Sequence, residues 1–374
     1  MIPFYKKKYD KRSTSRIMEV VKSGFLTSGK VGANVESQLQ LFFGVADTVL
    51  CNSWTSCWEL VLAYHKIGPG DEVIMPSMTF VSCANAVVNR GATVVFCDIC
   101  PDEIVVTSET LRPHLSKKTK LVLIVHMYGL MADMSPILHE CEGIPVYEDA
   151  AHCFEGSRNA IKPGTLSNGA IFSFYATKNI SCGEGGAIVS NDLALTEFVR
   201  VNRLHGMSKT AMDRYTNPIY QHWDVLSPGK KYNLPDILAA LLPEQIENCL
   251  SIQKFREDAH KFYLNAFSSL NHNFCVKMQK IPNEVQHAHH LFAICVSDEK
   301  RDSLLKYFGE SGIGVAVNFR DIPSLSYYSK YQRPVVAHKW GAGTISLPFH
   351  SEITKDEMVK VVNLTDRFFS KNKD

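Results

Sequence analysis

The chain predicts an α/β architecture: a mostly parallel central sheet with helices on both faces, followed by a small C-terminal α+β domain. Three observations carry this expectation. Between residues 45 and 190, short apolar runs alternate with helical stretches in β-α-β-α order. The runs are apolar at consecutive positions, as strands covered on both faces are. After Ser190 the texture changes to longer, more charged helical patterns.

In order, the strands are read at TVLCN (48–52), DEVIMP (71–76), TVVFCDI (93–99), LVLIVHMYG (121–129), IPVYEDA (144–150), IFSFY (171–175) and GAIVS (186–190). Helices are predicted over residues 55–65, near 108–115 and near 134–141, with FVSCANAVVNRG (80–91) between two strands. LALTEFVRVNRLHG (193–206) reads as a charged helix, and a polar, aromatic loop follows from Met207 to Lys231. Residues 236–267 form one or two helices that Pro243 kinks or divides. The C-terminal part is predicted to hold a strand at HLFAICV (290–296), a helix near 300–309 and a closing helix near 355–371.

A length of 374 residues exceeds what one hydrophobic core usually serves. The division expected is an N-terminal segment (1–30), a large domain (31–255) and a small C-terminal domain (256–374). A net charge of +2 offers no handle for nucleic acid or an anionic membrane. Eleven cysteines at irregular spacing, and an N-terminal MIPFYKKKYDKR that turns polar at once, point to free thiols in a reducing cytoplasm. Cys97 and Cys100 form a C-x-x-C, but it closes an apolar run and has no second pair at a ligand spacing, so buried structural thiols are expected there. No run approaches the length of a bilayer span.

Three stretches suit a phosphorylated aldehyde. NSWTSC (52–57) turns a strand into a helix and offers Ser53, Thr55 and Ser56 hydroxyls with free N–H groups, an arrangement that holds phosphate but also serves as an ordinary helix cap. Asp149 stands at the C-terminal end of a strand, where ligands sit in open parallel sheets; a carboxylate there pairs with a protonated ring nitrogen or merely caps the strand. His152, three residues on, lines the same region. Lys178 lies between a strand and a glycine-rich return, with Ser173 and Asn179 near it, a setting that lowers an ammonium pKa and makes a nucleophile and proton carrier.

Read together, these stretches resemble the DegT-type nucleotide-sugar aminotransferases, a branch of the fold-type I pyridoxal-phosphate enzymes. The likeness runs through GFLTSGKVGANVE (24–36), NSWTSCWELVLAYHKIGPGDEVIMPSMTFVSCANAV (52–87), YEDAAH (147–152), FSFYATKNISCGEGGAIVSND (172–192), KYNLPDILAAL (231–241) and ISLPFHSEIT (345–354). Lys178 follows Asp149 by 29 residues, and both sit inside matching motifs. The resemblance implies that Lys178 is catalytic and carries pyridoxal 5'-phosphate as a Schiff base, and that Asp149 partners the pyridine nitrogen. It implies Phe80 stacked on the ring, His152 at a position often held by Gln, and Thr55, Ser56 and Ser173 as phosphate ligands. Asn233 is implied to reach the phosphate of the neighbouring subunit in a homodimer with shared sites. The segment 1–30 is then expected near the active site and 31–255 to bind the cofactor.

Two departures stand out: Trp54 replaces a usual glycine in the phosphate loop, and Asn318, Phe319, Arg320 and Asp321 occupy a stretch where many members carry an aromatic and a histidine near the sugar. The activity implied is transfer of an amino group, from L-glutamate by resemblance, to a keto group of a nucleotide-linked deoxysugar, most simply a 4-keto sugar, in two half-reactions through pyridoxamine phosphate. The related sugar dehydratases carry histidine in place of the lysine, so Lys178 argues against that branch. A non-catalytic cofactor-binding sensor of the same fold is the alternative. A metal site built on the 14 histidines is disfavoured, because His287, His289 and His290 on one strand would point to opposite faces.

Overall fold

The computed structural model describes residues 1–209, 222–274 and 276–371. Its frame is a seven-stranded sheet built from β1 (Asp47–Cys51), β2 (Glu72–Pro76), β3 (Thr93–Cys97), β4 (Thr119–Val125), β5 (Val146–Asp149), β7 (Gly169–Ser173) and β8 (Gly186–Ser190), while β6 (Ser157–Arg158) pairs with β10 (Val285–Gln286). The spatial order is β1-β8-β7-β5-β4-β2-β3. Neighbours from β7 to β3 are parallel, and β8 alone runs against its neighbours β7 and β1. The C-terminal ends of β1, β2, β4, β5 and β7 therefore share one edge, where parallel sheets bind ligands.

Alternation along the central strands sorts the core. Val122 and Ile124 of β4 join Val35, Leu39 and Phe43 on one face, whereas Leu121 and Leu123 join Trp58, Val61 and Tyr147 on the other. Burial on both faces explains why these strands read as unbroken apolar runs. A third cluster, with Tyr263, Phe267, Phe292, Ile294, Phe308 and Phe368, fills the C-terminal part around the antiparallel strands β9 (Lys277–Met278), β11 (Ala293–Cys295) and β12 (Thr344–Ser346). Ile2 belongs to it, tied by reciprocal backbone bonds to Gly312 and Gly314.

Several elements differ from their sequence expectation for identifiable reasons. The helix expected near 108–115 is α-helical only over Ser108–Leu111 and tightens to a 3-10 turn at Arg112–His114, which contains Pro113. The stretch 236–267 divides into three helices, Asp236–Ala239, Pro243–Glu247 and Cys249–Phe274, with Pro243 opening the second. The long helix Cys249–Phe274 runs through residues 255 and 256, where the sequence reading divides large from small domain. Strand β11 covers only part of 290–296, because the backbone of Ala288, His290 and Leu291 is bonded to Gly129 and Tyr128 instead of to a strand. The helix over 355–371 forms as read. Of the loop 207–231, residues 210–221 lie outside those described. Among the described residues every cysteine is free, Cys97 and Cys100 included, and no helix is long and apolar enough to cross a membrane.

Candidate active site

The strand ends surround a cavity of about 450 Å³. Its floor begins where β1 turns into the helix Trp54–Tyr64. Ser53 caps that helix, its hydroxyl accepting from the Ser56 N–H at 3.0 Å. Gly186 of β8 makes the turn possible: a Cβ there would lie 2.4 to 2.6 Å from the Ser53 carbonyl group and the Trp54 nitrogen. Ser53, Trp54 and Thr55 line the cavity, and the opening N–H groups of a helix are those without intrahelical acceptors. Ser56 is turned away, its hydroxyl held by Asn52 Oδ1 at 2.5 Å and Ser53 Oγ at 2.8 Å. Trp54 is 6% exposed, with its indole packed 6.1 Å from that of Trp58. It fills core on one side and borders the cavity on the other.

Asp149 ends β5 in a buried position, where Oδ1 accepts from the Ala151 N–H at 3.1 Å and Oδ2 meets the Cys83 thiol at 3.7 Å. Burial pushes its carboxyl above the ordinary range, against the pull of the Ala151 N–H and the charge of Lys178. Lys178 follows β7 in a turn closed by its own N–H to the Tyr175 carbonyl and by Cys182 N–H to Phe174, with Gly183 at φ +89°. Burial lowers the Lys178 ammonium to about 8, opposed by Asp149. Ser173 closes β7 at the cavity wall, and its hydroxyl accepts from the Tyr175 N–H at 3.3 Å.

Aromatic faces complete the enclosure. Phe80 is 57% exposed into it, and Phe319 lies 5.9 Å from the rings of both Phe80 and His152, nearly parallel to the latter at 18°. His152 accepts from the Tyr128 N–H at Nδ1, 3.4 Å away, and burial holds its pKa well below the ordinary value. The neutral ring therefore carries its proton on Nε2.

Thr55, Phe80, Asp149, His152, Ser173 and Lys178 thus meet in one cavity; Ser56 and Asn233 do not line it. Asn233 pairs with Cys51 at the edge of β1 and donates from Nδ2 to Ser28 Oγ at 2.7 Å, while its Oδ1 is buried without a partner. Asn179 is fixed through its side chain to Glu155, Ala288 and His290, and its carbonyl accepts from Lys7 at 2.5 Å. The sequence reading missed Phe4, Cys83 and His290 as lining residues. Phe4 and His290 arrive from remote segments and stand in no motif, whereas Cys83 lies within the stretch 52–87, three residues after Phe80. His290 faces the cavity, whereas His287 and His289 pack against His260 with ring centroids 4.6 to 5.8 Å apart. Among the described residues, no three His, Cys, Asp or Glu are arranged to hold a metal ion.

A cofactor with an aldehyde, a basic ring nitrogen and a phosphate would engage the lysine, the buried carboxylate and the helix N-terminus together. The buried carboxylate, whose ionised form burial disfavours, is suited to a protonated pyridine nitrogen, which would compensate its charge. Fold and cavity therefore define a pyridoxal-phosphate-dependent transferase. The comparisons narrow this class. The model of the DegT/DnrJ/EryC1/StrS aminotransferase family matches residues 7–365, and the chain belongs to that family. It is 33% identical over 364 residues to the spore coat polysaccharide biosynthesis protein SpsC of Bacillus subtilis (strain 168), covering 94% of this chain and 93% of that one. Among solved structures, Spr1654 of Streptococcus pneumoniae in its PMP form superposes with a TM-score of 0.91 at 24% identity, covering 99% of this chain and all of that one. PseC of Helicobacter pylori, an aminotransferase involved in the biosynthesis of pseudoaminic acid, gives 0.88 at 23%, covering 99% of each chain. The protein is an aminotransferase of that family, with a cavity whose residues fit pyridoxal phosphate.

Proposed function

We propose that the enzyme moves an amino group from L-glutamate to the keto carbon of a nucleotide-linked deoxysugar, a 4-keto sugar, in two half-reactions at one site. The observation that carries this reading is the buried pair Asp149 and Lys178, each shifting the other's charge across one cavity. Pyridoxal phosphate supplies the electron sink and stores the amino group between half-reactions. Lys178, its ammonium lowered to about 8, exchanges protons readily near neutral pH and moves the proton at the reacting carbon. Asp149 keeps the ring nitrogen protonated. Thr55 and Ser173, with the helix N-terminus at Ser53, hold the phosphate. Phe80 and the neutral His152 bound the ring.

The sugar half of the reading rests on the rest of the wall. Phe4, Phe80, Tyr175 and Phe319 give the cavity aromatic faces, and among the described residues Lys178, Asp149 and Glu184 are its charged lining residues apart from histidine. Aromatic faces stack on the C–H side of a sugar ring, and a deoxygenated carbon extends that apolar side. To test the reading, the protein is loaded with pyridoxamine phosphate and offered a panel of nucleotide keto sugars with free keto sugars as controls. Recovery of the pyridoxal absorbance with 4-keto nucleotide sugars is the expected result. Recovery with none of them, or equally with free sugars, sinks the nucleotide assignment, and loading without any turnover marks a sensor.

We further propose that the working unit is a homodimer in which Asn233 completes the partner's phosphate site. Its position outside its own cavity and the unpartnered Oδ1 support this. Mixing Lys178→Ala chains with Asn233→Asp chains is expected to restore up to one working site per heterodimer, since a carboxylate beside a phosphate disables the site that receives it. If subunits exchange and both parents are inactive, yet no activity returns, Asn233 acts within its own chain or not at all.

A further inference from the structure

Tyr128 has no part in the chemistry described so far. It is 1% exposed and follows β4 in the left-handed region at φ 63°, where a bulky side chain persists only if its surroundings hold it. Every polar group it owns is engaged. Its N–H donates to His152 Nδ1 at 3.4 Å, and its carbonyl accepts from the N–H groups of His290 at 3.0 Å and Leu291 at 3.3 Å. Its hydroxyl donates to the Asn318 carbonyl at 2.5 Å and accepts from the Trp340 indole at 3.1 Å, with Thr344 Oγ1 at 3.3 Å. His152, His290, Leu291 and Asn318 all line the cavity. The backbone of this tyrosine thus holds the ring-face imidazole, and its side chain holds the C-terminal wall.

We propose that Tyr128 is a positioning residue that sets the wall of Asn318 and Phe319 in register with His152, and so fixes where the sugar lies against the cofactor. Phe319 stands 5.9 Å from His152 and nearly parallel to it, so a displaced 318–319 backbone moves an aromatic face that the sugar meets. The inference rests on the reading above that the sugar, and not the smaller donor, extends to that wall. A tyrosine that merely filled core would affect stability and treat both substrates alike.

The test is Tyr128→Phe in the holoenzyme, with the two half-reactions measured separately using L-glutamate and a dTDP-4-keto-6-deoxysugar. Losing the hydroxyl strands a buried carbonyl, and the sugar KM is expected to rise by about tenfold, with the donor KM unchanged. Hydrogen exchange over residues 316–322 in the cofactor-free protein should quicken as well. Equal changes for both substrates, or a lower melting temperature with neither constant moved, overturn the proposal. Should Tyr128→Phe fail to fold, Trp340→Phe removes the donor that orients the hydroxyl together with part of a buried ring, so it lowers stability as well, and it must still show the same split between the two substrates; no split overturns the proposal. If the wild-type enzyme accepts no keto sugar, the sugar reading falls by itself, and unchanged exchange over 316–322 in Tyr128→Phe then overturns the coupling.

Discussion

Lys178→Ala is expected to lose transamination by roughly 10⁴-fold or more, the loss of a nucleophile and a proton carrier at once, while still binding pyridoxamine phosphate through contacts that lie elsewhere. The geometry behind this is the turn after β7, which presents the amine in the same cavity as Asp149; among the described residues no other lysine lines it. Borohydride treatment of the wild-type holoenzyme should mark Lys178 and no other lysine; a label on Lys230 or Lys231 would refute the assignment. The lowered pKa also has a sign that can be checked without cofactor. A lysine whose folded pKa falls from 10.5 to about 8 disfavours folding wherever it is charged in both states. That cost is fully present below about 8 and fades as pH rises towards the unfolded value. In urea unfolding, cofactor-free Lys178→Met should therefore exceed the cofactor-free wild type in stability most clearly at neutral pH, with the gap narrowing above pH 8.

Asp149→Asn should slow both half-reactions by about 10- to 150-fold, the equivalent of a charged hydrogen bond worth roughly 1.5–3 kcal/mol, and weaken cofactor binding less. The amide can still accept from the Ala151 N–H, so the local backbone has no reason to move. What it lacks is the charge that keeps the ring nitrogen protonated. The measurement is the single-turnover rate of each half-reaction beside the cofactor dissociation constant. Near-normal turnover would place the nitrogen's partner elsewhere, and a loss confined to binding would make Asp149 a mere anchor.

What could be read from the sequence followed the range of the interactions involved. Strand ends and the residues just after them are local features, so apolar runs and turn residues put Asp149 at the end of one strand and Lys178 after another, while the expectation that they share a site with Ser173 came from the resemblance. The cap at Ser53 was legible for the same reason. Ser56 was harder, since hydroxyls one turn apart look equivalent in a string, and only the folded helix shows one of them bonded inwards to Asn52. Pro113 marked a limit to its helix that the apolar spacing hid. The irregular path of residues 287–291 depends on carbonyls of Tyr128 and Gly129 more than a hundred and fifty residues earlier. Phe4, His290 and Phe319 reach the cavity by tertiary packing that no spacing encodes.

The N-terminal strap bears on how the enzyme is made. Ile2 is bonded to Gly312 and Gly314, Phe4 lines the cavity, and Lys7 grips the carbonyl of Asn179, the residue after Lys178. Ile2 thus waits for Gly312 and Gly314, and Lys7 for a partner translated 172 residues later. A nascent polypeptide that has already built its central sheet still lacks one side of the pocket, and loop-closure entropy must be met before those contacts form. Competence to turn over substrate should accordingly appear abruptly, once the segment that carries Asn318 and Phe319 has emerged and docked, instead of growing with the length synthesised.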